Sequence, residues 1–127
     1  NYINGEWVGG DTFENRNPAN TEEVVGLFVK GTAADMTAAA DAAGAAFPAW
    51  ASMSGPARGN LLYKVADILD RKFEQLGEEM CREEGKTLPE AKGEVRRAIN
   101  IFRYFGGEGS RMPGFLVPSE RDRVHIG

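Results

Sequence analysis

The 127-residue chain sets 15 Lys and Arg against 19 Asp and Glu, a formal net charge of −4, with 42% apolar and 27% charged residues. That length supports one domain at most, with a modest core, and the composition is that of an ordinary globular protein, not a disordered one. The acidic balance argues against nucleic acid as a partner, since polyanions are met by clustered Lys and Arg. No apolar run approaches the roughly 20 residues that span a bilayer.

The first 31 residues read as strands. Tyr2-Ile3 and Trp7-Val8 flank Asn4-Gly5, a dipeptide suited to a two-residue hairpin because both positions tolerate positive φ. A second pair follows, Thr12 to Arg16 and Glu23 to Val29, joined by turn-forming residues 17–21. An antiparallel ribbon is expected.

At Thr32 the pattern turns helical. Thr32 and Asp35 resemble a capping box, and alanines, the best helix formers, dominate as far as Ala46. Pro48 cannot donate to the carbonyl of Gly44, so this helix should end or kink near Phe47, with Phe47 and Trp50 anchored in the core. Ser54-Gly55-Pro56 opens a second helix. Leu61, Leu62, Val65, Ile68 and Leu69 give it a buried stripe at spacings of three and four, continued by Phe73, Leu76, Met80 and Cys81 after a break around Asp70-Arg71. Gly85 should end that run in the left-handed conformation.

Thr87, Pro89 and Glu90 form a second capping box with proline in the first turn. The following helix should place Ala91, Val95, Ala98, Ile99, Phe102 and Phe105 on one face and stop between Ser110 and Pro113. The tail, Phe115 to Ile126, reads as two short strands around Pro118–Asp122. Its apolar side chains and open edges call for a cover that the chain itself does not show.

Chemistry-bearing motifs are sparse. Cys81 stands alone, so no internal disulfide exists, and this fits a reducing compartment. Asn1 to Val8 shows neither a basic nor an apolar leader segment, and cytoplasmic residence is the expectation. Glu78, Glu79, Glu83 and Glu84 surround Cys81 and disfavour a thiolate, so its expected role is packing. His125 has no second histidine or thiol near it in sequence, and no metal motif forms. Gly106, Gly107 and Gly109 follow a helix and match neither phosphate-loop spacing, so helix packing or a helix end is expected there. The acidic cluster reads as a solvated helix face or a cation site. Arg96 and Arg97 could meet an anionic substrate or pair with acids on neighbouring turns. No acid, base and nucleophile come together.

Several segments, taken in order, resemble the aldehyde dehydrogenase superfamily. Tyr2-Ile3-Asn4-Gly5-Glu6-Trp7 is similar to the family's opening strand, and Asn17-Pro18-Ala19-Asn20 to its Asn-Pro turn. Ala45-Ala46-Phe47, Trp50 and Arg58-Gly59 resemble the run into the second helix. Glu83 to Glu94 resembles the Glu-x-Gly-Lys…Glu-Ala…Glu-Val segment. The order and spacing hold across essentially all 127 residues, and the wording of 83–111 is most like bacterial semialdehyde dehydrogenases.

The resemblance implies an α/β protein of which this chain is the N-terminal segment: an antiparallel ribbon, amphipathic helices, then a hairpin. Residues 1–112 would be the outer part of the dinucleotide-binding domain and 113–127 the start of an oligomerisation hairpin. The parent would use NAD or NADP, which this segment alone would not bind. It would oxidise a small aldehyde through a thiohemiacetal, hydride transfer and thioester hydrolysis. A semialdehyde is expected, such as 2,5-dioxovalerate or succinic semialdehyde. The nucleotide-binding strands, glutamate base and cysteine nucleophile lie further along family members, so Cys81 carries no catalytic role and the segment alone is expected to be inactive. Assembly as a homodimer or homotetramer is implied. A structural Na⁺ or K⁺ ion is implied at Glu83, aided by backbone near Asn15 or Arg16, and Val95, Ala98 and Phe102 would border the substrate tunnel. The rival reading is an inactive fragment or assembly module that self-associates through 113–127.

Overall fold

The computed structural model describes residues 1–111, 114, 117–118 and 125–126. Strands β1 (Tyr2–Ile3) and β2 (Glu6–Trp7) form the expected hairpin, with Asn4 at φ 52° and Gly5 at φ 83° in its turn. Tyr2 pairs across it with Trp7, ring centroids 5.2 Å apart, the kind of cross-strand contact that stabilises a short ribbon. β3 (Thr12–Asn17) and β4 (Asn20–Val29) form a second antiparallel ribbon. Its turn is tighter than expected, because the Asn17 side-chain oxygen accepts from the Ala19 N–H at 2.9 Å and closes the chain after two residues. The register slips between Asn15 and Asn17, a bulge beside that turn.

Helix α1 (Ala33–Ser52) opens on the Thr32–Asp35 capping box, with the Thr32 N–H donating to Asp35 at 2.8 Å. It does not end at Phe47 but continues through Pro48 to Ser52. Gly44 is exposed, so the carbonyl that Pro48 leaves without a donor can turn to water. Nor are Phe47 and Trp50 core anchors: they are 65% and 42% exposed, and α1 buries no residue at all. Among the described residues its main packing is against β1 of the first hairpin.

The core lies between α2 (Gly55–Arg71), α3 (Phe73–Glu84) and α4 (Leu88–Glu108). Ala66, Ala91, Val95 and Ile99 are buried, and Leu69, Phe73, Leu76, Met80 and Phe102 pack around them. Burying Ile99 contributes roughly 2–3 kcal/mol. The buried face of α2 is rotated from the expected leucine stripe, with Gly59 and Ala66 inside and Leu61 and Ile68 exposed. The cause is a backbone-to-backbone crossing: a Cβ on Gly59 would strike the carbonyl oxygen of Gly106, and one on Gly55 that of Gly109. A side chain on Gly106 would meet the Tyr63 ring at 3.1 Å. Phe105, expected inside, is 56% exposed, because this close approach turns it outward at the end of α4.

Charge fixes the register of the same crossing. Asp70 on α2 accepts from Arg96 at 2.7 Å and Arg103 at 3.0 Å, both on α4, and the Arg96 guanidinium lies 4.4 Å from the Phe73 ring centroid. Hydrogen bonds from Arg96, then Arg103, hold the Asp70 carboxyl below its usual range. Such exposed pairs are individually worth little; two arginines on one carboxylate select one helix register.

A second latch docks the β3–β4 ribbon on α3. Asn17, buried to 9% exposure, donates to Glu23 at 2.7 Å, and Arg82 of α3 donates to the other Glu23 oxygen at 2.5 Å. Gly85 ends α3 at φ 69°, and a Cβ there would collide with Pro18 of the ribbon turn at 2.7 Å. Conformation and contact both demand glycine. Strands β5 (Val117–Pro118) and β6 (His125–Ile126) pair antiparallel. The rest of the expected hairpin, Phe115, Leu116 and Val124 included, lies outside the described residues. No helix among the described residues is long and apolar enough to cross a membrane.

Two outcomes follow for stability. Gly59→Ala should cost roughly 1–3 kcal/mol by overpacking, whereas Gly44→Ala, with open space around its site, should add up to about 1 kcal/mol; denaturant midpoints distinguish them. Hydrogen bonds from Asn17, then Arg82, lower the Glu23 pKa from 4.5. A depressed carboxylate stabilises above its unfolded pKa and loses that contribution as pH falls through its folded value. Unfolding measured against pH should therefore show stability dropping below about 4.5, with a shallower acid limb in Glu23→Gln.

Candidate functional site

Glu83, Val95, Ala98 and Phe102 lie on α3 and α4, so the α3–α4 joint decides where they go. Gly85 turns the chain, its N–H donating to the Cys81 carbonyl at 2.9 Å, and the Cys81 thiol donates to the Lys86 carbonyl at 3.0 Å. The half-buried thiol is thus a structural donor at the turn. Thr87 then starts α4, its N–H and hydroxyl both donating to Glu90, at 3.2 and 2.7 Å. Those two bonds, the hydroxyl's first, lower the Glu90 pKa. Lys86 spans the joint, 2.5 Å from both Glu84 and Glu94, and these bonds, Glu84's first, raise its pKa.

The joint opens a cleft of about 240 Å³ with Leu69, Leu76 and Met80 as its apolar lining and Glu83, Val95 and Ala98 on its walls. Three of the four expected residues therefore meet in one place. Phe102 does not join them; it packs against the core of Ala66, Val95 and Ile99. Val95 itself is only 4% exposed, and Ala98 is half-buried. Among the neighbouring acids, Glu79 accepts from Gln75 at 2.7 Å and Glu84 pairs with Lys86, whereas Glu83 has no ion pair or side-chain hydrogen bond to a described residue. Among the described residues, no three His, Cys, Asp or Glu side chains group to hold a metal.

A second concavity of about 450 Å³ lies along the opposite side of α4, where Arg97, Asn100, Ile101 and Tyr104 follow one another at helical spacing. The glycines at 106 and 109 are spent on the helix crossing, against Tyr63 and Gly55. That contact leaves no room there for a phosphate, so these residues do not form a dinucleotide cradle.

Comparison with known proteins places this architecture. The sequence model of the aldehyde dehydrogenase family matches residues 7–126. The chain belongs to the aldehyde dehydrogenase family. It is 47% identical over 122 residues to an α-ketoglutaric semialdehyde dehydrogenase of Bacillus subtilis, covering 94% of this chain and 25% of the relative. It is 44% identical over 117 residues to an α-ketoglutarate semialdehyde dehydrogenase of Haloferax volcanii, covering 90% and 24%. A crystal structure of betaine aldehyde dehydrogenase from Staphylococcus aureus in complex with NAD⁺ superposes with a TM-score of 0.89 at 30% identity, over 98% of this chain and 26% of that one. Ribbon and helices are thus the N-terminal part of the α/β aldehyde dehydrogenase fold. The chain spans about a quarter of the length of the relatives it matches.

Reading the sequence did not single out Asn17, Glu23 and Arg82 as one latch, nor Lys86 as the bridge of the α3–α4 joint. Their partners are as far as 59 positions apart, and only the fold brings them together. Arg96 and Arg97 were open to either an anionic substrate or an ion pair, and the fold separates them: Arg96 pairs with Asp70, whereas Arg97 lies in the second concavity with Asn100, Ile101 and Tyr104.

Proposed function

We propose that this chain forms the N-terminal part of an NAD(P)-dependent aldehyde dehydrogenase that oxidises a carboxylate-bearing aldehyde, such as 2,5-dioxovalerate or succinic semialdehyde, to the acid. The observation that carries the reading is the 47% identity to a semialdehyde dehydrogenase over 94% of the chain. The nicotinamide, where bound, supplies the hydride acceptor. The contribution of the residues here is to hold α4 in place: the glycine crossing and Asp70 set its position against α2, and Lys86 and the Thr87 cap set its start.

In this reading residues 1–112 belong to the dinucleotide-binding domain and 113–127 begin an oligomerisation hairpin, which the β5–β6 pairing supports. Assembly as a homodimer or homotetramer belongs to the same reading, as does residence in the cytoplasm. Ala98 borders the substrate path, and Val95 and Phe102 back it from the core. A structural Na⁺ or K⁺ ion at Glu83, with backbone near Asn15 or Arg16 as a further ligand, belongs to the same reading; α3, which carries Glu83, packs against β3, which carries the other two.

The test is NADH and NADPH formation by the full-length polypeptide with 2,5-dioxovalerate, succinic semialdehyde and an unsubstituted aldehyde. Turnover on the semialdehydes is expected, and the aldehyde dehydrogenase reading fails if none of the three is oxidised with either nucleotide.

A further inference from the structure

We infer that the outer face of α4 is a carboxylate subsite, with Arg97 as the residue that selects aldehydes bearing a distal carboxylate. The inference rests on the dehydrogenase reading above and adds to it a specific residue and a specific chemistry.

Arg97, Asn100, Ile101 and Tyr104 stand at i, i+3, i+4 and i+7, one continuous face of the helix. A solvated helix face is charged or polar throughout. This one instead leaves Ile101 45%, Tyr104 62% and Phe105 56% exposed beside two guanidinium groups, around a groove of about 450 Å³. The two arginines are not equivalent. Arg96 is committed to Asp70 and to the Phe73 ring. Arg97 makes no ion pair or side-chain hydrogen bond to any described residue, although the chain carries more acids than bases. Its guanidinium and the amide of Asn100 one turn on offer several N–H donors at one end of an apolar surface.

That arrangement matches a short chain with an anionic end. A guanidinium fits a carboxylate bidentately, and the exposed apolar side chains suit the methylenes between carboxylate and aldehyde. Arg96, fixed by Asp70, adds positive potential without competing for the ligand. Helical geometry at 100° per residue sets Ala98 and Phe105 at the seam between this face and the core-facing side.

The test uses the full-length enzyme, with glutaric semialdehyde (5-oxopentanoate) and pentanal as probes that share a five-carbon chain and differ only in the terminal carboxylate. In Arg97→Met the ratio of kcat/KM for the semialdehyde over pentanal should fall roughly tenfold to a hundredfold, chiefly through KM, because a ground-state charge contact is removed. Arg97→Lys should recover part of the loss. An unchanged ratio overturns the inference. In the unmodified enzyme glutarate should compete with the semialdehyde and 1,5-pentanediol should not; equal inhibition by both, or by neither, also overturns it. Wild-type enzyme that oxidises pentanal as well as the semialdehyde sinks the subsite alone and leaves the dehydrogenase reading standing. Wild-type enzyme that oxidises neither removes both.

Discussion

Backbone contact between α2 and α4 is the constraint on which the rest of the molecule depends. Gly55 and Gly59 approach Gly109 and Gly106 so closely that a methyl group on either α2 glycine would strike a carbonyl oxygen of the other helix. Glycine costs a helix about 1 kcal/mol relative to alanine, so this stretch gives up intrinsic helicity for proximity. The return is a crossing in which small side chains suffice for a core: Ala66 and Ala91 are fully buried beside Val95 and Ile99. It also decides orientation. Once the glycine side of α4 faces α2, Arg96 and Arg103 fall on Asp70, and the arc from Gly93 through Arg97 to Tyr104 must face outward.

The ribbon is held by different means. Its attachment to α3 is polar and local, built from Asn17, Glu23 and Arg82 with the Gly85 turn pressed on Pro18. Satisfying the buried Asn17 amide at both ends matters more than the net strength of any one bond, since an unpaired buried polar group is costly. By contrast α1 packs, among the described residues, mainly against β1 of the first hairpin, and its Phe47 and Trp50 remain in the open. Family members are about four times as long as this chain, and exposed aromatic surface on α1 is what a segment designed to pack within a larger fold would carry.

Much of the fold was legible because it is written locally. The Asn4-Gly5 turn, both capping boxes, the Gly85 helix end and the break between α2 and α3 each depend on a handful of neighbouring residues, and all are present. What escaped is long-range. The leucine stripe of α2 counted large apolar residues and gave no weight to Gly59, although a glycine at a crossing is as much a packing residue as leucine. Pro48 read as a helix end or a kink, and the helix does not end there; on an exposed helix the carbonyl that proline leaves without a donor can turn to water. Glu83, Val95 and Ala98 came as site residues from family resemblance, and the fold gathers them in one cleft; Phe102 packs against the core, as its place on the apolar stripe of α4 led one to expect.

The central claim is that α4 divides its work, one face locking the core and the other meeting the carboxylate of the substrate. A crystal structure of the full-length enzyme with glutarate bound tests it most directly. The account predicts a glutarate carboxylate within hydrogen-bonding distance of the Arg97 guanidinium, with Arg96 still on Asp70. Glutarate held entirely by residues away from α4, with Arg97 turned to an internal acid, would contradict it.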